Sequence, residues 1–356
     1  MQPTLPPEIL CSILECTQIT EVLLNFSLVS RQFCQVAEPY LYANAVFHPT
    51  VANLQCFLNA IEMPDKALLV RDLVFVKNRH PLQPAELHLM DKILMKMVNL
   101  QSLRLIWPSM SFRPSLQFIQ GIPSTLRHIT ISSPDLDQTL VRFLEAQPQL
   151  ETLWLDCPTA HRTSPFSASP WPKLRYLTTD YSALPHFFHL PASVTHLAIL
   201  AVHFYNHPRP PRYTRFLENI RVFLCHSSPY PLTDLVTFFP NLEWIEIRES
   251  RIHLRVFDAL STVLPCLPKL RGIRFANQVV PPRPFPLLQL YFTGGASLEF
   301  VEFYEELGGF RRWYRQSSEP VTVRWRCLAG NEWLSDWVED VDQIDSEEQL
   351  LDGLFY

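Results

Sequence analysis

Apolar residues recur along this chain in a repeated phrase: apolar, two residues, apolar, one residue, apolar. The phrase starts at Val70, Leu100, Leu126, Leu150, Leu174, Val194, Ile220, Leu242, Leu270 and Leu298, at intervals of 20–30 residues. The wording repeats as well. Asn99-Leu100-Gln101-Ser102-Leu103-Arg104-Leu105 is matched by Gln149-Leu150-Glu151-Thr152-Leu153-Trp154-Leu155 and by Asn241-Leu242-Glu243-Trp244-Ile245-Glu246-Ile247. Alternation between the second and third apolar positions predicts a short strand with one face buried. One such strand cannot bury that face alone. A period of this size predicts stacking, strand beside parallel strand, over a continuous core. Runs at helical spacing lie between the phrases, in Ala85–Val98, Leu136–Ala146 and Arg255–Leu264. These are expected on the convex side, with the parallel β-sheet on the concave face. The predicted fold class is therefore α/β, an irregular solenoid over residues 68–326.

The chain ahead of the repeats has a different period. From Leu5 to Phe47 the pattern predicts three short helices, and residues 1–47 are taken as one unit. Pro6 and Pro7 suit a first turn, where a missing N–H costs nothing. Ile9, Leu10, Ile13 and Leu14 make one apolar stripe. Thr20 and Ser30 are candidate N-caps for the second and third helices. A unit of roughly 40 residues seldom holds itself together without a metal, a disulfide or a partner. Its apolar content exceeds what three short helices bury on each other, so something else is expected to cover the remaining face. Residues 48–67 form a transition, with Leu54, Phe57, Leu58 and Ile61 at helical spacing before Pro64-Asp65 breaks the run.

The strand register also predicts which side chains face away from the core. They are Arg104, Trp154, Tyr176, Trp244, Arg248, Arg274 and Tyr304, together with His128, His196, Glu246, Phe300 and Glu302. Trp, Tyr and Arg are the types enriched in binding hot spots, so this face is the candidate binding surface. A one-residue slip in register would exchange buried and exposed sets.

Beyond the repeats, Val321-Thr322-Val323-Arg324-Trp325-Arg326 alternates at period two and predicts a last, edge strand. Residues 327–356 hold nine acidic residues and no Lys or Arg. They are read as a cap, built on Trp333, Leu334, Trp337 and Val338, and an acidic tail that docks on the Arg311–Arg315 cluster or is simply solvated. Thr159–Pro172 and the proline-rich Asn206–Tyr213 read as loop insertions.

Composition narrows the function. The 356 residues are 47% hydrophobic and 18% charged, which indicates a folded chain. A net charge of −5 argues against a nucleic-acid binder driven by phosphate neutralisation. No apolar run reaches the roughly 18 residues of a membrane span, and no signal peptide is expected. The eight cysteines are scattered without a C-x-x-C pair, as for reduced thiols in the cytoplasm or nucleus. Only 6 of the 30 basic residues are Lys. With eight glycines and no glycine-rich phosphate loop, no G-x-S-x-G elbow and no metal-type His pair, no catalytic residue, metal or cofactor is expected.

Leu5-Pro6-x-Glu8-Ile9-Leu10-x-x-Ile13-Leu14, Leu28-Val29-Ser30-Arg31-x-Phe33 and Pro39-x-Leu41-Tyr42 together resemble an F-box. The repeated phrases resemble leucine-rich repeats of an irregular kind, with Pro108, Pro134 and Pro158 where that family places Asn or Cys. The combination is similar to the large fungal group of F-box proteins. The resemblance implies docking on a Skp-type adaptor, and through it a cullin, as the substrate-recognition subunit of an SCF-type ubiquitin ligase. It implies an adaptor contact made by Leu5, Pro6, Ile9, Leu10, Ile13 and Leu14 and completed by Leu28, Val29 and Phe33. The partner on the repeats would be a protein substrate, with the chemistry done by other subunits. The rival reading is an interaction scaffold with no ligase role, whose N-terminal helices only cap the first repeat.

Overall fold

A computed structural model describes residues 6–15, 20–77, 82–107, 116–119, 121–132, 136–157, 171–180, 183, 187, 193–200, 216–225, 239–248, 260–279, 284–305, 309–315, 321–327 and 337–340. The chain divides into two units. The first comprises Met1–Leu200 with Pro208–Phe216, the second Ala201–His207 with Leu217–Tyr356.

The first unit opens with helices α1 (Pro7–Glu15), α2 (Thr20–Val29) and α3 (Arg31–Ala43). Ser30 caps α3 as expected, its Oγ accepting the Phe33 N–H at 3.3 Å. Thr20 is already the first helical residue of α2 rather than its cap. Leu14, Leu23 and Ala37 make the centre of this helical cluster, with Phe26, Val36, Tyr40 and Leu41 packed around it. Beyond α3 the chain enters the sheet at once. Strand β1 (Asn44–Phe47) pairs in parallel with β2 (Asp72–Val76). Asn44–Phe47, the last stretch of the unit expected over residues 1–47, thus already pairs with the sheet. Helices α4 (Val51–Ala60) and α5 (Pro64–Leu69) fill the transition. Pro64 begins α5 rather than ending order, since its missing N–H falls in the first turn.

From β2 onward the expected phrase and the structure coincide. Strands β3 (Ser102–Ile106), β4 (His128–Ser132), β5 (Thr152–Asp156), β6 (Tyr176–Thr179) and β7 (His196–Ile199) follow in parallel register. In the second unit β8 (Val222–Cys225), β9 (Trp244–Ile247), β10 (Gly272–Val279) and β11 (Phe300–Glu305) continue the same parallel pattern. The first apolar residue of all ten phrases is buried. The third position fails chemically at Thr179, yet Thr179 is buried in the same place, its Oγ1 without a hydrogen-bond partner.

Among the described residues, eight of the ten phrases turn into their strands by the same backbone device. The residue after the first apolar position and the residue after that both donate to one carbonyl of the preceding repeat. Thus Gln101 and Ser102 bond Arg71, Arg127 and His128 bond Gln101, and Glu243 and Trp244 bond Arg221, all within 3.1 Å. Helices α6 (Pro84–Lys96) and α7 (Gln138–Glu145) cover the core side in the first unit. Asp137 caps α7, its carboxylate accepting the Leu140 N–H at 2.8 Å. In the second unit residues 260–263 are helical, Leu264–Cys266 form a 3-10 turn, and α8 spans Pro284–Gly294.

The last strands reverse direction. β12 (Gly309–Tyr314), β13 (Val321–Cys327) and β14 (Trp337–Asp340) pair antiparallel in sequence order after β11. Val321–Arg326 is thus a strand as expected but not the last one. Trp337 and Val338, expected in a cap, belong to β14. Trp333, Leu334, the acidic tail apart from Glu339 and Asp340 in β14, and both loop insertions apart from Trp171 and Pro172 lie outside the described residues.

Candidate functional site

Two surfaces answer to the expected sites. The first is on the helical unit. Among the described residues, Ile9, Ile13, Leu24, Leu28 and Val29 are 47%, 39%, 50%, 82% and 67% exposed. Two of these large aliphatic side chains stand on α1 and three on α2, exposed without a cover of their own. Pro6 is exposed beside it, and Phe33 is half-buried with its ring 5.4 Å from that of Phe26. Leu10 and Leu14, expected in the adaptor contact, are instead only 1% and 2% exposed. They hold α1 onto the rest of the unit and present Ile9 and Ile13 outward. The apolar stripe of α1 is wide enough to serve both faces, which is why spacing alone did not divide it. Leu24 was not in the expected contact set. Its position one turn before Leu28 was the available signal. Leu5 lies outside the described residues.

The second surface is the face of each sheet turned away from the core. In the first unit Arg104, Trp154 and Tyr176 stand on it half-buried, as the register predicted. Val46, Val74, Val76 and Ile106 occupy the same face, and Val46 is 63% exposed. The Tyr176 ring lies 4.6 Å from that of His196. Burial pulls the His196 pKa down to about 4, helped by the Arg175 charge, so the ring is neutral near pH 7. Burial likewise lowers His128, against the pull of Glu151 and Asp72, and its Nδ1 lies 3.1 Å from Thr152 Oγ1.

In the second unit the corresponding face is filled from within. Glu246, Arg274, Glu302 and Arg312 occupy one row across four adjacent strands, and none is more than 4% exposed. Arg274 Nε donates to Glu302 Oε2 at 2.6 Å and its Nη1 lies 3.6 Å from Glu246 Oε2. Arg312 Nε donates to Glu302 Oε1 at 2.7 Å, and Arg248 bonds Glu246. The neighbouring row is aromatic. Trp244 and Phe300 meet edge-on at 4.7 Å above Gly272, where a Cβ would lie 2.6 Å from the Phe300 ring. The Arg312 guanidinium stacks 4.3 Å from the Phe300 centroid. Arg274 is therefore not a contact residue: the carboxylates of β9 and β11 hold it buried. Glu246 and Glu302, buried in the same ion row, and Phe300, covered by Trp244 and Arg312, leave the candidate surface too. Trp244 and Arg248 stay half-buried within this cluster, and the Tyr304 side chain lies outside the described residues.

In the Arg311–Arg315 cluster, two of the arginines are engaged. Arg312 is consumed by the ion row, and Arg315 donates to the carbonyls of Leu298 and Gly295.

An F-box-like family model matches residues 3–48. No curated protein matches the chain. Among solved structures, the leucine-rich repeat-containing protein LegL7 from Legionella pneumophila superposes with a TM-score of 0.44 at 11% identity, over 75% of this chain and 84% of that one. An internalin, inlF, from Listeria monocytogenes gives 0.34 at 13% identity, over 70% and 87%.

Proposed function

From an F-box-like unit joined to a leucine-rich-repeat-like sheet, we propose that the chain is the substrate-recognition subunit of an SCF-type cullin–RING ubiquitin ligase, of the kind common in fungi. The observation that carries this is the exposure of Ile9, Ile13, Leu24, Leu28 and Val29 together on the unit matched by the F-box-like model. F-box domains generally bind Skp1-type adaptors, and this surface has the chemistry of a buried helical interface. The adaptor would bring the cullin, and the sheet face would hold a protein substrate. On this reading the chain is no enzyme itself: it positions a substrate for chemistry done elsewhere. It would work in the cytoplasm or nucleus, and six cysteines are free thiols among the described residues.

Co-purification with a Skp-type adaptor tests the proposal. Wild type should form a stable complex. Leu28→Ala with Val29→Ala should lose it, since two buried aliphatic side chains contribute about 3–6 kcal/mol. Both residues are exposed in the free chain, so the variant should melt as wild type does. Leu10→Ala should instead lower the melting temperature of the free chain. Absence of a complex from well-folded wild type would leave the interaction scaffold.

A further inference from the structure

Among the described residues four carboxylates are buried: Glu86, Asp180, Glu246 and Glu302. Three of them hold a cation. Lys77 Nζ lies 2.7 Å from Glu86, Arg248 bonds Glu246, and Arg274 and Arg312 share Glu302 at 2.6 Å. Asp180 meets no cation among the described residues. It hydrogen-bonds a second carboxyl, Asp156, and its Oδ2 has no hydrogen-bond partner. The pair meets its repulsion with a proton, which Asp180 keeps to about pH 7.

Asp156 closes β5 half-buried, and Asp180 follows β6 beside it on the outward face of the first unit. Two residues before Asp156 on that face stands Trp154, also half-buried. Its indole meets no other ring and no cation among the described residues. Thr130 and Thr178 flank Trp154 on the neighbouring strands, and Ser132 flanks Asp156. The arginine of this face, Arg104, lies on β3, two strands from Trp154.

We infer that Trp154, Asp156 and Asp180 receive a lysine or arginine side chain of a partner protein. The inference rests on the proposed substrate-receptor role and adds the chemistry of the substrate. An indole attracts a cation over its face, and a carboxylate fixes the cation in place. Residues two apart on a strand are separated by about 6.6 Å, and the attraction of the ring acts within about 6 Å of its centroid, so one cation can engage both. The aliphatic stem would lie on the indole while the head reaches the carboxylates. It would release the proton of the pair to solvent and leave Asp180 like the other three buried carboxylates, with a cation against it. A bare metal ion suits the site less well. It takes more oxygen ligands than two carboxylates supply, and no group of three His, Cys, Asp or Glu side chains among the described residues could hold one.

The test uses the full chain and three labelled twelve-residue peptides that alternate Ser with Arg, Gln or Glu, at physiological ionic strength. The Arg peptide should bind about tenfold more tightly than the Gln peptide, and the Glu peptide least. Asp156→Asn with Asp180→Asn should remove the preference for Arg. Trp154→Ala keeps both carboxyls and should still weaken the Arg peptide several-fold. Glu299→Gln, which removes an exposed carboxylate of the second unit, should change nothing. Wild-type affinity for the Arg peptide in the double variant would overturn the inference and assign the preference to other acidic residues. Wild-type affinity in Trp154→Ala would overturn it too, as would displacement of the Arg peptide by equimolar calcium, which would make the pair a metal site. Adaptor co-purification of the same samples separates the two readings. An adaptor complex without Arg preference sinks only the docking inference, and Arg preference without an adaptor complex sinks only the ligase reading.

Discussion

Asp180 closes β6 with its carboxyl only 3% exposed and its Oδ2 without a hydrogen-bond partner. Burial first, then the charge of Asp156 and the hydrogen bond to it, push its pKa from 3.8 up to about 7, while a backbone bond from Cys157 pulls the other way. The sign of the consequence follows from proton counting. The unfolded chain releases this proton near pH 4, but the folded chain keeps it to about pH 7. Stability therefore falls as pH rises across that window and levels off above it. Asp180→Asn keeps a donor for Asp156 and removes the ionisation, so urea midpoints of the variant should vary less between pH 4 and 7. At pH 8 it should be the more stable protein, by at most about 4 kcal/mol. Identical pH slopes in the two proteins would show that the folded chain does not raise the Asp180 pKa. The pair itself was hidden in the sequence. The two residues lie 24 positions apart, and only the parallel pairing of Leu155 with Thr179 brings the next residues side by side. The same holds for Leu10 and Ile9: helical spacing marks both as apolar, and only the packing of α3 and its neighbours decides which is covered.

Strands were legible where a residue type repeats and illegible where it does not. The ten phrases announced β2 to β11 because each must place three side chains in one core. β1 has the same spacing in Tyr42, Ala45 and Phe47, but its leading residue sits in α3 and Ala45 is a weak apolar signal, and β12 belongs to an antiparallel turn-back with no phrase at all. The outward rows were legible in position but not in state, because burial on that face depends on what the neighbouring strands carry. Two pairs joined by the same strand offset show how much that matters. Arg271–Glu299 and Arg274–Glu302 each link residues 28 apart across β10 and β11. The first pair is 55% and 50% exposed, the second 2% and 0%. Arg271→Ala removes a solvated pair and should cost less than about 1 kcal/mol. Glu302→Gln leaves Arg274 and Arg312 buried without their shared carboxylate and should cost about 3–5 kcal/mol. Urea denaturation of both variants checks this, and comparable losses would mean that the buried row contributes no more than a surface pair.

At the scale of the whole molecule, stacked repeats contact their sequence neighbours, so a gain in stability at one end is expected to stay there. The exposed aliphatic face of α1 and α2 is the place where a partner would supply such a gain. An adaptor present at 100 times its Kd adds about 2.7 kcal/mol to whatever unfolds with the helices. Hydrogen exchange of the chain alone and in the adaptor complex reads where that energy goes. Amides of α1 to α3 should exchange about 100-fold more slowly in the complex. Those of β1 and β2 should gain part of this protection, because β1 continues directly from α3. Amides of β9 to β11 should not change. Uniform slowing across the chain would mean that helices and repeats unfold as one cooperative body, and the adaptor would then stabilise the substrate face as well as carry it. Slowing confined to the helices would mean that the repeats keep their own stability in the free protein and can be studied for substrate binding without the adaptor.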